Sequence, residues 1–320
     1  MKLTVSAVGR TLNAISLLAP GLAGTLTFSL FQRPAARRRV RETERDTHAR
    51  ARVEAVRVAG KRVATYRWGD GARPVLLVHG WQSRASRYFA LVNELLARGF
   101  SPIGFDAPAH GDSDGTTTTI LEFHEVIRQL QERYGRFEAI VAHSFGVPCA
   151  FHALRSGIEA DSLVAISGVC EFSFLHTEFC RRLGLRNAIS NDLRMRVEEL
   201  LQASGTDIWR KFSASYEPHR LTMPLLVIHD EDDPVVPVTQ ARLIIEAYPR
   251  RSRLVTTAGL GHRPLDDPAT VARVADFIES PEPMPATGAE ARRAPSAAGV
   301  IAETATRLAA EVADGDQVLQ

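Results

Sequence analysis

Ser144 stands in Ala142-His143-Ser144-Phe145-Gly146, between an apolar run and a stretch of helical pattern. A serine hydroxyl is a weak nucleophile until a base takes its proton, and that base works best when a carboxylate orients it. The chain has ten histidines, so the base must be sought by position. His262 follows the apolar run Leu254–Thr257 through Ala258-Gly259-Leu260-Gly261. His143 adjoins the serine, where its side chain points away from Ser144, and His79, His110 and His229 sit beside other motifs. Candidate carboxylates cluster in His229-Asp230-Glu231-Asp232-Asp233-Pro234, at the end of another apolar run. Asp230, Asp232 and Asp233 are rivals for the orienting role. Together these residue types suit acyl transfer through a covalent serine intermediate.

The segment around Ser144 resembles the nucleophile elbow of the α/β-hydrolase superfamily, usually G-x-S-x-G. Gly146 matches, and Ala142 stands in place of the first glycine. The elbow holds its serine in a strained turn, so the residues crowding it must be small. The family order is serine, acid, histidine. The resemblance therefore implies Ser144 as nucleophile, Asp233 (the last acid before Pro234) as orienting carboxylate, and His262 as base. Val78-His79-Gly80-Trp81 resembles the family's H-G-x loop, which implies the backbone N–H groups of Trp81 and Phe145 as oxyanion donors. Asp106-Ala107-Pro108-Ala109-His110-Gly111-Asp112-Ser113 is similar to the D-x-P-G-H-G-x-S turn, with Ala109 at a glycine position. The resemblance covers about residues 53–280.

The elements needed to position these groups are visible as periodicity. Val53–Val58 and Arg62–Tyr66 read as a strand hairpin around Ala59-Gly60-Lys61. Pro74–Val78, Ser101–Phe105, Ala139–Ala142, Leu163–Ile166, Leu225–His229 and Arg253–Thr256 are short apolar strands. Between them Arg87–Arg98, Ile120–Tyr134, Phe145–Arg155, Val238–Ala247 and Ala269–Ile278 are helical. Continuous apolar strands alternating with amphipathic helices imply an α/β fold, a mostly parallel sheet covered on both faces. The core is expected over 53–167 and 219–280. At 168–218 the rhythm breaks into helices and loops, read as a helical lid at the carboxyl ends of the strands. Phe172, Phe174, Phe179 and Trp209 in that insertion are the candidate pocket lining.

Composition excludes other classes. At 45% apolar and 24% charged the chain is globular, and three cysteines without a CxxC pair do not make a disulfide scaffold. Residues 1–52 hold ten basic side chains against three acidic ones, so the basic character belongs to an N-terminal arm. No aromatic interleaving accompanies the basic run, and nucleic acid is not an expected partner. Thr11–Gln32 lacks charge, with Leu12–Phe31 apolar or small throughout. It reads as a transmembrane span, a cleaved signal, or two short helices broken at Pro20 that lie on a membrane or pack on the core. The third reading is favoured, with peripheral membrane contact through residues 1–41 and a cytoplasmic location. The tail, 281–320, reads as mobile, with a helical pattern near Val300–Val312.

The resemblance implies a serine esterase acting on a small acyl substrate, with no metal or cofactor. There is no HExxH or Walker loop, and Pro264 stands where Gly259-Leu260-Gly261 would need its last glycine for GxGxxG. An acyltransferase, a thioesterase or a non-catalytic binding member of the fold are the alternatives.

Overall fold

The computed structural model describes residues 5–201 and 207–281. Its elements in chain order are α1 (Val5–Leu18), α2 (Pro20–Gln32), α3 (Arg45–Ala49), β1 (Arg52–Val58), β2 (Lys61–Arg67), β3 (Pro74–Val78), α4 (Phe89–Ala97) and β4 (Ser101–Phe105). There follow α5 (Ile120–Tyr134), β5 (Ala139–His143), α6 (Gly146–Arg155), β6 (Leu163–Ile166), α7 (Phe172–Leu183), α8 (Asn187–Leu201) and α9 (Ile208–Lys211). β7 (Leu225–Asp230), α10 (Thr239–Ala247), β8 (Ser252–Thr257) and α11 (Pro268–Glu279) complete the series. Every strand and helix read from periodicity between residues 53 and 280 is present, with ends within about two residues.

The eight strands form one sheet in the order β1-β2-β4-β3-β5-β6-β7-β8. β1 and β2 are the antiparallel hairpin, and β2 pairs antiparallel with β4; the remaining neighbours are parallel. All residues of β3, β4, β6 and β7 are buried, which explains their unbroken apolar runs. One core, with Phe123, Phe151 and Leu76, fills one face; the other, with Trp68, Leu91 and Val274, fills the opposite face. Thr119 and Glu122 cap α5 reciprocally, and Asp267 with Pro268 starts α11. Gly184, left-handed at φ 58°, stops α7 and lets the chain reverse into α8.

The uncharged N-terminal segment is a helical pair with Pro20 at the first position of α2, and no described helix is long and apolar enough to cross a membrane. The break between the two helices falls at Pro20, where the sequence places it. The pair packs on the elements between β6 and β7: α1 against α7, α2 against α8. From residue 282 the tail lies outside the described residues, and with it the expected helix near Val300–Val312.

Candidate active site

Ser144 follows β5 directly and has φ 55°, left-handed backbone that side chains rarely adopt. Its N–H donates to Ile166 O on β6 (2.9 Å), and its carbonyl accepts from Val147 N–H in the first turn of α6 (3.0 Å). Only a glycine fits at 146, because a Cβ there would stand 2.3 Å from the Val78 carbonyl oxygen on β3. Ala142 lies inside β5 with no exposed surface, and the elbow forms with its methyl in the glycine's place.

The acid and the imidazole come from the loops after β7 and β8. His262 Nε2 lies 3.0 Å from Ser144 Oγ, and His262 Nδ1 lies 2.8 Å from Asp233 Oδ2. A carboxylate only accepts, so Nδ1 carries the proton and Nε2 accepts from the serine hydroxyl. Burial works to raise the Asp233 carboxyl, but the bonds from His262 and from the Val235 and Val236 N–H groups outweigh it and hold it low. The rival aspartates have other partners. Asp230 accepts from Thr257 Oγ1, Leu260 N–H and Asp232 N–H, and Asp232 accepts from Gly259 N–H. Both tie down the loop that delivers His262.

Two further histidines, passed over as bases in the sequence, serve this arrangement in another way. His143 Nε2–H donates to the His262 carbonyl at 2.8 Å; burial pushes this imidazole down to about 3, so it is neutral. His229 Nε2–H donates to Val236 O (2.8 Å) beside Asp233, and burial also lowers it. Their one sequence signal is position: each is a strand residue next to a candidate catalytic segment.

The loop after β3 lies against the serine, since a Cβ on Gly80 would be 2.7 Å from Ser144 Cβ. Among the described residues neither the Trp81 N–H nor the Phe145 N–H donates to a protein acceptor. The loop is fixed by two neutral imidazoles. His79 donates to Gly80 O and accepts from Ala107 N–H; His110 donates to Pro108 O and accepts from Gln82 N–H. Burial holds them at about 4 and about 3. Beneath them Asp106 accepts from Ala85 N–H, Asp112 N–H and Tyr66 Oη and pairs with Arg84, so the Asp106–Ser113 turn braces the loop.

Ser144 opens into a cavity of about 670 Å³ with mainly apolar walls, within the ~300–1,000 Å³ range of small-ligand sites. Trp81 and Phe145 line it next to the serine; Phe172, Phe174 and Phe179 line it from α7. Trp209 does not reach the cavity. Its ring packs behind Phe172 and its indole N–H donates to Glu198, so the expected pocket residue is a support for the wall. Val5, Val8, Leu30 and Phe31 of the N-terminal pair also line the cavity, a contribution not anticipated from sequence.

The model of a family described as the alpha/beta hydrolase family matches residues 75–274. No curated protein matches the chain. Among solved structures the chain is similar to an esterase of Pyrococcus furiosus, with TM-score 0.58 and 20% identity over 77% of this chain and 96% of that one. It is also similar to a monoacylglycerol lipase of Paleococcus ferrophilus, with TM-score 0.55 and 21% identity over 69% and 99%. A third similar structure is an esterase of a Rhodococcus species, with TM-score 0.54 and 18% identity over 72% and 99%.

Proposed function

Because the chain belongs to the alpha/beta hydrolase family, we propose that it is a serine hydrolase cleaving an acyl ester through Ser144, His262 and Asp233. The observation that carries this reading is the unbroken hydrogen-bonded chain from Ser144 Oγ through His262 to Asp233, at 3.0 and 2.8 Å, opening onto an apolar cavity. Ser144 Oγ attacks the ester carbonyl carbon as His262 Nε2 takes its proton. Asp233 keeps the imidazole in the required tautomer and stabilises the imidazolium. Negative charge gathers on the former carbonyl oxygen, where the N–H groups of Trp81 and Phe145 receive it, aided by the N-terminus of α6. The intermediate collapses, the alkoxide leaves with the proton from His262, and the acyl group stays on Ser144. Water, deprotonated by His262, then attacks the acyl carbon and releases the acid.

The apolar cavity supports an acyl group of hydrocarbon character, and the esterase and lipase names of the structural relatives agree with an ester bond. Labelling with a fluorophosphonate tests the reading, followed by turnover of p-nitrophenyl esters of graded chain length. The expected result is a single adduct on Ser144, lost in Ser144→Ala, with ester hydrolysis lost alongside it. An adduct on another serine, or none, overturns the reading.

A further inference from the structure

The cavity in front of Ser144 has a wall that the α/β core does not supply. Val8 of α1 and Leu30 and Phe31 of α2 line it together with Phe172, Leu175 and Phe179 of α7. Resting on the serine-hydrolase reading, we propose that the α1–α2 hairpin is the second half of the lid and part of the acyl-binding site, with Val8, Leu30 and Phe31 setting the chain length it accepts.

The hairpin is seated by contacts too close and too directional for a loose arm. Gly9 lies so near the last turn of α7 that a Cβ would stand 1.7 Å from the Leu183 carbonyl oxygen. Gly24 approaches α8 as closely, with a Cβ falling 1.7 Å from an Asp192 carboxylate oxygen. Asn13 uses both ends of its amide on the α7–α8 turn: Nδ2 donates to Gly184 O (2.7 Å) and Oδ1 accepts from Arg186 N–H (3.0 Å). Phe31 meets Phe179 edge to face, with ring centroids 5.2 Å apart. After α2 the chain stays bound to the core. Thr118 N–H donates to Gln32 O, Arg37 donates to the carbonyls of Gly111, Ser113 and Gly115, and Arg38 donates to Gln82 O beside Trp81. A hairpin held at both ends, with its inner side chains in the cavity, forms a fixed surface against which an acyl chain is measured.

An apolar wall discriminates by about 10- to 200-fold for each methylene gained or lost. The test uses full-length protein and the ratio of kcat/KM for p-nitrophenyl octanoate to that for the butanoate. Both rates come from one sample, so loss of active protein cancels. Phe31→Ala and Leu30→Ala enlarge the wall's recess, and the ratio should rise about tenfold for Phe31→Ala and less for half-exposed Leu30→Ala. Val8→Phe fills it, and the ratio should fall about tenfold. Shifts in opposite directions are not expected of a merely weakened fold. Ratios unchanged in all three variants, with native protein labelled on Ser144 by fluorophosphonate, overturn the hairpin's role alone. Native protein that takes no label overturns the hydrolase reading, and this one with it.

Discussion

The two sides of the cavity are built on different principles. On the core side, Ser144, Asp233 and His262 sit at strand ends within a dense set of hydrogen bonds. Asp230, Asp232, His143 and His229 each fix a neighbouring loop through a named acceptor or donor. On the helical side α1, α2, α7 and α8 meet through small residues, one amide and aromatic edges. The outer surface of the hairpin leaves Leu17, Leu18 and Leu22 more than half exposed. Chemistry needs atoms fixed to fractions of an ångström, which hydrogen bonds provide. Selection among acyl chains needs only shape and apolar surface, which packing provides.

The largest effects belong to the core side. Ser144→Ala and His262→Ala should each lower ester turnover by ~10⁴–10⁶ while thermal unfolding stays native, and Asp233→Asn by ~10⁴. Asp230→Asn keeps three of the loop's other restraints and should be mild; an inactive Asp230→Asn would move the orienting carboxylate one turn back.

Deleting residues 5–41 tests the helical side. It strips α7 and α8 of their partners and exposes apolar surface, so the product should aggregate and bind hydrophobic dyes. A soluble monomer with native unfolding temperature would show that the hairpin is an accessory, and would break the comparison. Gly9→Leu is a finer probe. It forces a backbone-to-backbone contact apart at a cost of about 1–3 kcal/mol, lowering the unfolding temperature by several degrees and altering the ester chain-length ratio.

The smallest effect concerns the strap that follows the hairpin. Glu44 has no exposed side-chain surface; burial works to raise its carboxyl, but the Arg41 N–H, Ser86 and Arg87 outweigh burial and hold it low. A carboxyl lowered in the folded state contributes stability above its unfolded pKa, ~4.3, and that contribution fades as pH falls towards the folded value. Glu44→Gln should therefore unfold at a lower temperature than the native protein at pH 7. The gap should narrow in scans taken at pH 4.

What could be read from the sequence divides along the same line. The strands and helices of the core announce themselves by local periodicity, and the segments around Ser144, Asp233 and His262 are each contiguous. The helical wall of the cavity was only half visible. Phe172, Phe174 and Phe179 stand in the insertion where a lid was expected, but Phe31 meets Phe179 across a distance in sequence that no periodicity spans. The same limit applies to Trp209, whose aromatic type suited a pocket but whose indole N–H found Glu198. His143 and His229 act through backbone carbonyls, and no residue type advertises such a partner.

The packing of the N-terminal hairpin on α7 and α8 also sets an order of events at the ribosome. Asn13 is made early, and its partner Gly184 follows 171 positions later. At ~5–20 residues per second that interval is roughly 10–30 s. For most of it the uncharged stretch from Thr11 to Gln32 exists without the α7–α8 surface it packs against. The nascent chain must therefore carry its longest uncharged segment unpaired until α7 and α8 have been made, and whatever shields that segment meanwhile bears on how much protein reaches the native state.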